Sequence, residues 1–245
     1  MITIAHGLHG LDTDLLNIFC KSVSNPFKSV CNNYVLKIKK MYRIYPTLLN
    51  SFAYYEAQTL DSKGNMLVDT QEMLNRINRV KRPTTQAQQR GIDFEKAVVT
   101  GENENDFKEG IIEKARLLLP KKYKTQFYSE SKYKNCLIYG YVDLVGEDRA
   151  VDLKSTRFYE PNRFALNHQN FYLLGLKKYG VKTLDYVITD FEEVYQETYS
   201  LDTYDFTPLY QQLDNFVDFL EQHKKQIRDK KIFDSKTDNN QLSMF

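Results

Sequence analysis

The sequence predicts an α/β fold, with a mixed central sheet flanked by helices. Three observations carry this. Stretches of helical and strand period follow one another in the order helices, strand, hairpin, helix, strands, helix. At 245 residues, of which 13% are aromatic, the chain can bury a sizeable core. One hairpin, spanning 137–155, carries acids where a buried strand should carry apolar residues.

Residues 1–40 hold His6, His9, Cys20, Pro26 and Cys31 without a sustained period, and are read either as lying ahead of a natural start at Met41 or as a loosely attached extension to a domain over 41–232. Pro46 suits a first helical turn, and Leu48, Leu49, Phe52 and Tyr55 follow at helical spacing. Asp69 to Glu72 has the form of a capping box ahead of Met73, Leu74 and Ile77. Pro83 ends that helix, and Thr84 or Thr85 caps the next, running from about Gln86 to Thr100. In it Glu95 shares a face with Ile92, Val98 and Val99, and so calls for a partner, either a metal or a buried cation. Gly91 permits close approach of the helix to a neighbour or to nucleic acid. Asp106 is expected to cap a helix bearing Ile111, Ile112, Ala115, Leu118 and Leu119. A strand near Thr125 to Ser129 leads into the hairpin. Pro161 is expected to open one helix to about Lys178, closed by Gly180. Strands over Leu184–Thr189 and Val194–Leu201 precede an amphipathic helix from Thr207 to about Asp229, with Leu209, Leu213, Phe216, Val217 and Leu220 inward. After Phe233 the chain turns polar and reads as a flexible linker.

Composition excludes several classes. A net charge of +2 names no partner, and the clusters around Arg76–Arg82 and Lys121–Lys134 read as solvated surface. Three cysteines without a paired spacing suit a reduced, cytoplasmic protein. No apolar run approaches membrane-spanning length, no signal-peptide pattern opens the chain, and no phosphate-loop motif implies a nucleotide-driven motor.

The hairpin holds the chemistry. With Glu147 and Asp148 as the turn, Asp143 lies across from Asp152, and Leu137, Tyr139, Tyr141, Asp143 and Val145 share one face. Ala150, Asp152 and Lys154 share a face of the second strand, while Val151 and Leu153 point the other way. Two facing carboxylates repel unless a cation lies between them, and hard divalent ions take carboxylate oxygens. With an ammonium at the same spot, the outline is that of metal-assisted hydrolysis.

Asp143, the Asp152-Leu153-Lys154 run and the upstream Glu95 resemble the PD-(D/E)xK nuclease superfamily, in its RecB-type and lambda-exonuclease-type branch. Five segments carry the resemblance in order: YPTLLNSFAYYE, RGIDFE, YGYVDLV, VDLKST and HQNFYLLGLKKYG. It covers about residues 42–230 and implies a restriction-endonuclease-like sheet and Mg²⁺ (with Mn²⁺ as a substitute) held by Glu95, Asp143, Asp152 and the Leu153 carbonyl. Lys154 would orient the attacking water or stabilise the pentacovalent phosphate. Gln169 and Tyr172 would position the DNA strand, although their spacing, Q-x-x-Y, is one residue shorter than the branch commonly shows. Thr156, Arg157 and Arg163 are candidate phosphate contacts beside the bland reading of polar surface. His168 reads as structural. Some relatives hold an iron–sulfur cluster through four cysteines; no cysteine follows Cys136 here, so no cluster is expected.

The final residues, Gln241, Leu242, Ser243, Met244 and Phe245, resemble the peptide by which bacterial replication and repair proteins bind the β sliding clamp. Apolar side chains at Leu242, Met244 and Phe245 can fill a pocket, and a flexible linker can tether a catalytic domain at DNA. Together these imply a Mg²⁺-dependent DNA nuclease of bacterial or phage origin, an exonuclease first, working in replication, recombination or repair. The alternatives are a structure-specific endonuclease, a non-catalytic module binding DNA or the clamp, and a nuclease acting on RNA.

Overall fold

A computed structural model describes residues 41–233. The expected N-terminal extension, the polar linker from 234 onward and the clamp-binding peptide lie outside the described residues. Six strands form a mixed sheet: β1 Tyr42–Ile44, β2 Lys124–Tyr133, β3 Cys136–Val145, β4 Arg149–Ser155, β5 Thr183–Thr189 and β6 Val194–Ser200. Their order is β1-β3-β4-β5-β6, with β2 pairing to β3. Strand β4 runs antiparallel to β3 and parallel to β5, and β5 runs antiparallel to β6. The α/β class with a mixed sheet flanked by helices is therefore observed.

By contacts the chain divides into two units, one comprising 44–132 with 138–229, the other the remainder. In the smaller unit, the Tyr42 N–H donates to the Asn135 carbonyl at 2.8 Å and the Tyr42 ring meets Phe233 edge-on. The larger unit holds the helices α1 Pro46–Glu56, α2 Thr70–Ile77, α3 Gln86–Thr100, α4 Ile111–Leu117, α5 Tyr172–Leu176 and α6 Thr207–Gln222.

Local chemistry explains most helix starts. Pro46 opens α1. The Asp69 carboxylate accepts the Glu72 N–H at 2.7 Å to begin α2, while the Glu72 carboxylate turns to Arg76 and Arg82 instead of completing the box. Thr85 and Gln88 make a full capping box on α3, and Gly101, in the left-handed region at φ 82°, ends it. Asp106 does not cap α4, contrary to expectation: it closes a 3₁₀ turn, and Gly110 at φ 83° leads into the helix. The single helix expected from Pro161 to Lys178 is broken into turns, a 3₁₀ segment His168–Phe171, α5 and a second 3₁₀ segment Lys177–Tyr179. Asn162 takes φ 63°, and the Asn167 carboxamide accepts the Gln169 N–H at 2.9 Å, so local side-chain bonding replaces the helical ladder. Helix α6 stops at Gln222 rather than Asp229, and Phe219 is buried beside Phe216 and Leu220 where Val217 was expected.

Two apolar layers cover the sheet. On one face Phe94, Ala97 and Val98 of α3, with Ile111, Ile112 and Ala115 of α4, pack on Leu144, Val151, Leu153 and Val187. On the other, Phe164, Tyr172, Leu173 and Leu176 pack on Val142, Val145, Ala150, Leu184, Tyr186 and Ile188. Val142 and Val145 share a face although they are three residues apart, so the alternation of β3 slips by one between them. The expected single face from Leu137 to Val145 is therefore broken, and Asp143 sits at the break.

Candidate active site

The β3–β4 register pairs Leu144 with Val151 and Val145 with Ala150, which is the register a Glu147-Asp148 turn implies. Just beyond these pairs, the Asp143 carboxylate accepts the Leu153 N–H at 2.8 Å. A side chain has taken over from a backbone carbonyl where the alternation slips. In an extended strand the N–H and C=O of one residue point to the same side, so the Leu153 carbonyl faces this place too.

Asp152 lies on β4, between β3 and β5, and is fully buried. Its Oδ1 accepts from the Gln169 carboxamide at 2.8 Å, and its Oδ2 from the Lys154 ammonium. Gln169 stands on the 3₁₀ segment, which is pinned from α1. The Asn50 carboxamide oxygen accepts the His168 N–H at 2.9 Å and lies 3.0 Å from His168 Nδ1, and its amide donates to Asn167 at 3.1 Å. His168 is wholly enclosed, and burial pushes its pKa down to about 4. It is neutral near neutral pH, with Nδ1 against Asn50 and Nε2 buried without a hydrogen-bond partner.

Glu95 comes from α3. The buried side of that helix is Phe94, Ala97 and Val98, while Ile92 is exposed, so the stripe expected around Glu95 is rotated and Glu95 is only half-buried. Gly91 approaches the end of β4: a Cβ there would stand 2.8 Å from Ser155 Oγ. The carboxamide of Gln126, on β2, donates to Glu95 at 3.1 Å and to Asp143 at 3.5 Å. Three carboxylates from α3, β3 and β4 are thus brought together with Lys154. Burial, then the Asp152 charge, pushes the Asp143 carboxyl up to about 8. Burial raises Asp152 against the pull of Lys154. Burial and then the Asp152 charge raise Glu95.

Around this cluster, Tyr172 is buried, and burial followed by the charges of Asp152 and Asp143 holds its phenol well above the ordinary range. Its ring fits because position 140 is glycine, where a Cβ would stand 2.5 Å from the hydroxyl. Thr156, Arg157 and Arg163 stay in the segment after β4. Thr156 Oγ1 donates to the Phe158 carbonyl at 2.8 Å, Arg157 lies over the Phe158 ring, and the Arg163 N–H donates to Glu197 at 2.9 Å. None of the three is hydrogen-bonded to the acids or to Lys154.

Two residues escaped sequence reasoning. Asn50 looks like one more polar position on an amphipathic helix. Gln126 looks like an ordinary polar residue in a strand. Its only other mark, a backbone φ of 48° within β2, has no signature in the sequence.

The donor set is one that hard divalent cations take: carboxylate oxygens and a backbone carbonyl, with three acids against one ammonium. Among the described residues no three His, Cys, Asp or Glu side chains stand ready-made to hold a metal. Lys154 and Gln126 hydrogen-bond to one oxygen of each of the three acids. By the chemistry of its donors the set suits a hard divalent cation, although the side chains do not stand as a preformed cage.

No family model and no curated protein matches the chain. Among solved structures it is similar to a provisionally named exonuclease of Eubacterium rectale, with a TM-score of 0.48 and 12% identity over 78% of this chain and 84% of that one. It is also similar to Rai1 of Scheffersomyces stipitis, with a TM-score of 0.30 and 15% identity over 86% of this chain and 68% of that one. Neither likeness, at that score and identity, assigns an activity. Among the described residues, no helix is long and apolar enough to cross a membrane.

Proposed function

We propose that the chain is a divalent-metal-dependent deoxyribonuclease, an exonuclease in the first instance, that hydrolyses phosphodiester bonds in DNA. One observation carries this: Glu95, Asp143 and Asp152, from three separate elements, converge beside the ammonium of Lys154. A packing site has no use for that excess of acid.

Glu95, Asp143, Asp152 and the Leu153 carbonyl would hold Mg²⁺ or Mn²⁺. Bound there, such an ion would polarise the scissile phosphate and lower the pKa of an attacking water. Gln169 fixes Asp152 by its amide, so that one carboxylate oxygen remains oriented. Lys154, two residues on along the same strand face, would orient the water and offset charge on the phosphate as it becomes pentacovalent. Tyr172 would shape the floor of the site. Thr156, Arg157 and Arg163, in the segment after β4, would hold the DNA backbone.

The C-terminal residues Gln241 to Phe245 would tether the enzyme to a bacterial β sliding clamp in replication, recombination or repair. That part rests on sequence alone. Its check is a clamp titration of the full chain, which should lose binding when Leu242 and Phe245 are replaced by alanine.

The activity is tested by comparing end-labelled linear DNA with covalently closed DNA, in Mg²⁺ and in EDTA, for wild type and Asp152→Asn. Shortening of linear DNA alone, dependent on both the metal and Asp152, is the expected result. Cutting of closed circles would point to an endonuclease. DNA binding without Mg²⁺-dependent cleavage, equal in wild type and variant, would leave a binding module.

A further inference from the structure

Gln126 is poorly placed for an ordinary strand residue. Its backbone takes φ 48°, the left-handed region that a side chain with a Cβ enters at a cost, in the middle of a strand. Its position on β2 is exposed, yet its side chain reaches inward and spends both amide hydrogens on the site, on Glu95 at 3.1 Å and on Asp143 at 3.5 Å. Both contacts run through the NH₂ group, so the carboxamide presents its donor end to the two acids. The amide NH₂ therefore stands between oxygens of the two acids and holds them on one group.

We propose that Gln126 is a built-in stand-in for the cation: it bridges Glu95 and Asp143 in the metal-free protein and must release them for a divalent ion to enter. Released, the amide remains beside the site, free to donate to a non-bridging oxygen of the bound phosphodiester. Gln126 is thus a positioning residue that keeps the two acids converged without metal and sets a threshold for metal entry. The Lys154–Asp152 pair covers the third acid in the same manner. This inference rests on the metal-site reading above.

The test is direct binding of Mn²⁺ without substrate, by electron paramagnetic resonance and calorimetry, for wild type, Gln126→Ala and Gln126→Gly. The glycine variant relieves the left-handed backbone while removing the amide, so a loss of folding cannot be mistaken for a loss of the bridge. Both variants should bind Mn²⁺ roughly tenfold more tightly than wild type, since one charge-assisted donor no longer has to be displaced. Added Mn²⁺ should raise their melting temperatures more than it raises that of wild type. Damage to the site would weaken binding, so tighter binding is a readout that a merely structural role does not give. Equal affinity in all three proteins, or weaker binding in the variants, overturns the stand-in while leaving the metal site intact. No Mn²⁺ binding by wild type, with Asp152→Asn indistinguishable from it, overturns the metal-site reading and this inference with it.

Discussion

Two buried aspartates on neighbouring strands, Asp152 and Asp185, do opposite things with the same side chain. Asp185 on β5 faces the α3–α4 layer, being paired in register with Val151, and is met by the Arg149 guanidinium at 2.9 Å. The same arginine donates to the Leu118 carbonyl at 2.8 Å. One acid meets one cation through Asp185 Oδ2, while its Oδ1 is buried without a hydrogen-bond partner. Asp152 on β4 faces the other way and is bonded by Gln169 and by the Lys154 ammonium, a single cation set beside two further acids that Gln126 joins to each other. The difference lies in the local count of charges, not in burial. A balanced buried pair holds strands together; an unbalanced cluster holds a place for something positive.

The largest effect should separate the two aspartates by function. Asp152→Asn is expected to lower DNA cleavage roughly 10³-fold while leaving the melting temperature unchanged or higher, because one of several like charges is removed. Parallel nuclease assays and thermal melts would show this, and a large loss of stability would break the contrast.

Next comes the opposite pattern. Arg149→Met leaves Asp185 buried without its cation, and should cost about 2–3 kcal/mol in urea unfolding, below the full buried-pair value because the arginine is partly exposed. Cleavage per folded molecule should stay as in wild type. A loss of activity matching the loss at Asp152 would mean that the two regions are one.

Gly140→Ala tests whether packing and chemistry meet at Tyr172. The new methyl group would stand 2.5 Å from the hydroxyl and about 3 Å from ring carbons. Stability should fall by about 1–3 kcal/mol, with partial rescue when Tyr172 is trimmed to leucine in the same chain.

The smallest effect is a slope. A carboxyl held at about 8 in the fold and near 4 when unfolded keeps its proton in the native state over that range. The unfolded chain gives the proton up, so stability falls as pH rises from about 4 to 8. His168 acts in the opposite sense below its ordinary value. Neutral in the fold down to about 4, it makes stability fall as the solution is acidified from about 6.5. Above pH 6.5 His168 no longer opposes the carboxyl slope. Asp143→Asn should flatten it, by about 1–2 kcal/mol between pH 6.5 and 8.5 in metal-free buffer, as read by denaturation at several pH values. An unchanged slope would show that Asp143 is already ionised in the fold.

Much of this architecture was legible beforehand because its signals are local. Pro46, Asp69 and Thr85 mark helix starts by their own backbone chemistry. The strands announce themselves by alternation, and the hairpin register followed from its turn. The misplaced boundaries have a common cause. Gly110, Asn162 and Asn167 redirect the chain through left-handed or capped conformations, and such side-chain bonds compete with a helix in ways that periodicity does not record. The slip at Asp143 is of the same kind, since a pattern of period two cannot register one residue out of step.

What the sequence alone determined is the kind of side chain available at each point: acids at 95, 143 and 152, an amine at 154, and apolar stripes to bury the elements that bear them. What only the tertiary structure decided is the balance among them. It turned Glu95 to the rim of its layer, gave Asp185 a private arginine, and sent Gln126 and Asn50 from distant elements to hold the cluster and its supporting turn. Electrostatic energy depends on distance and on the surrounding medium, and neither is fixed until strands and helices far apart in the chain are packed together.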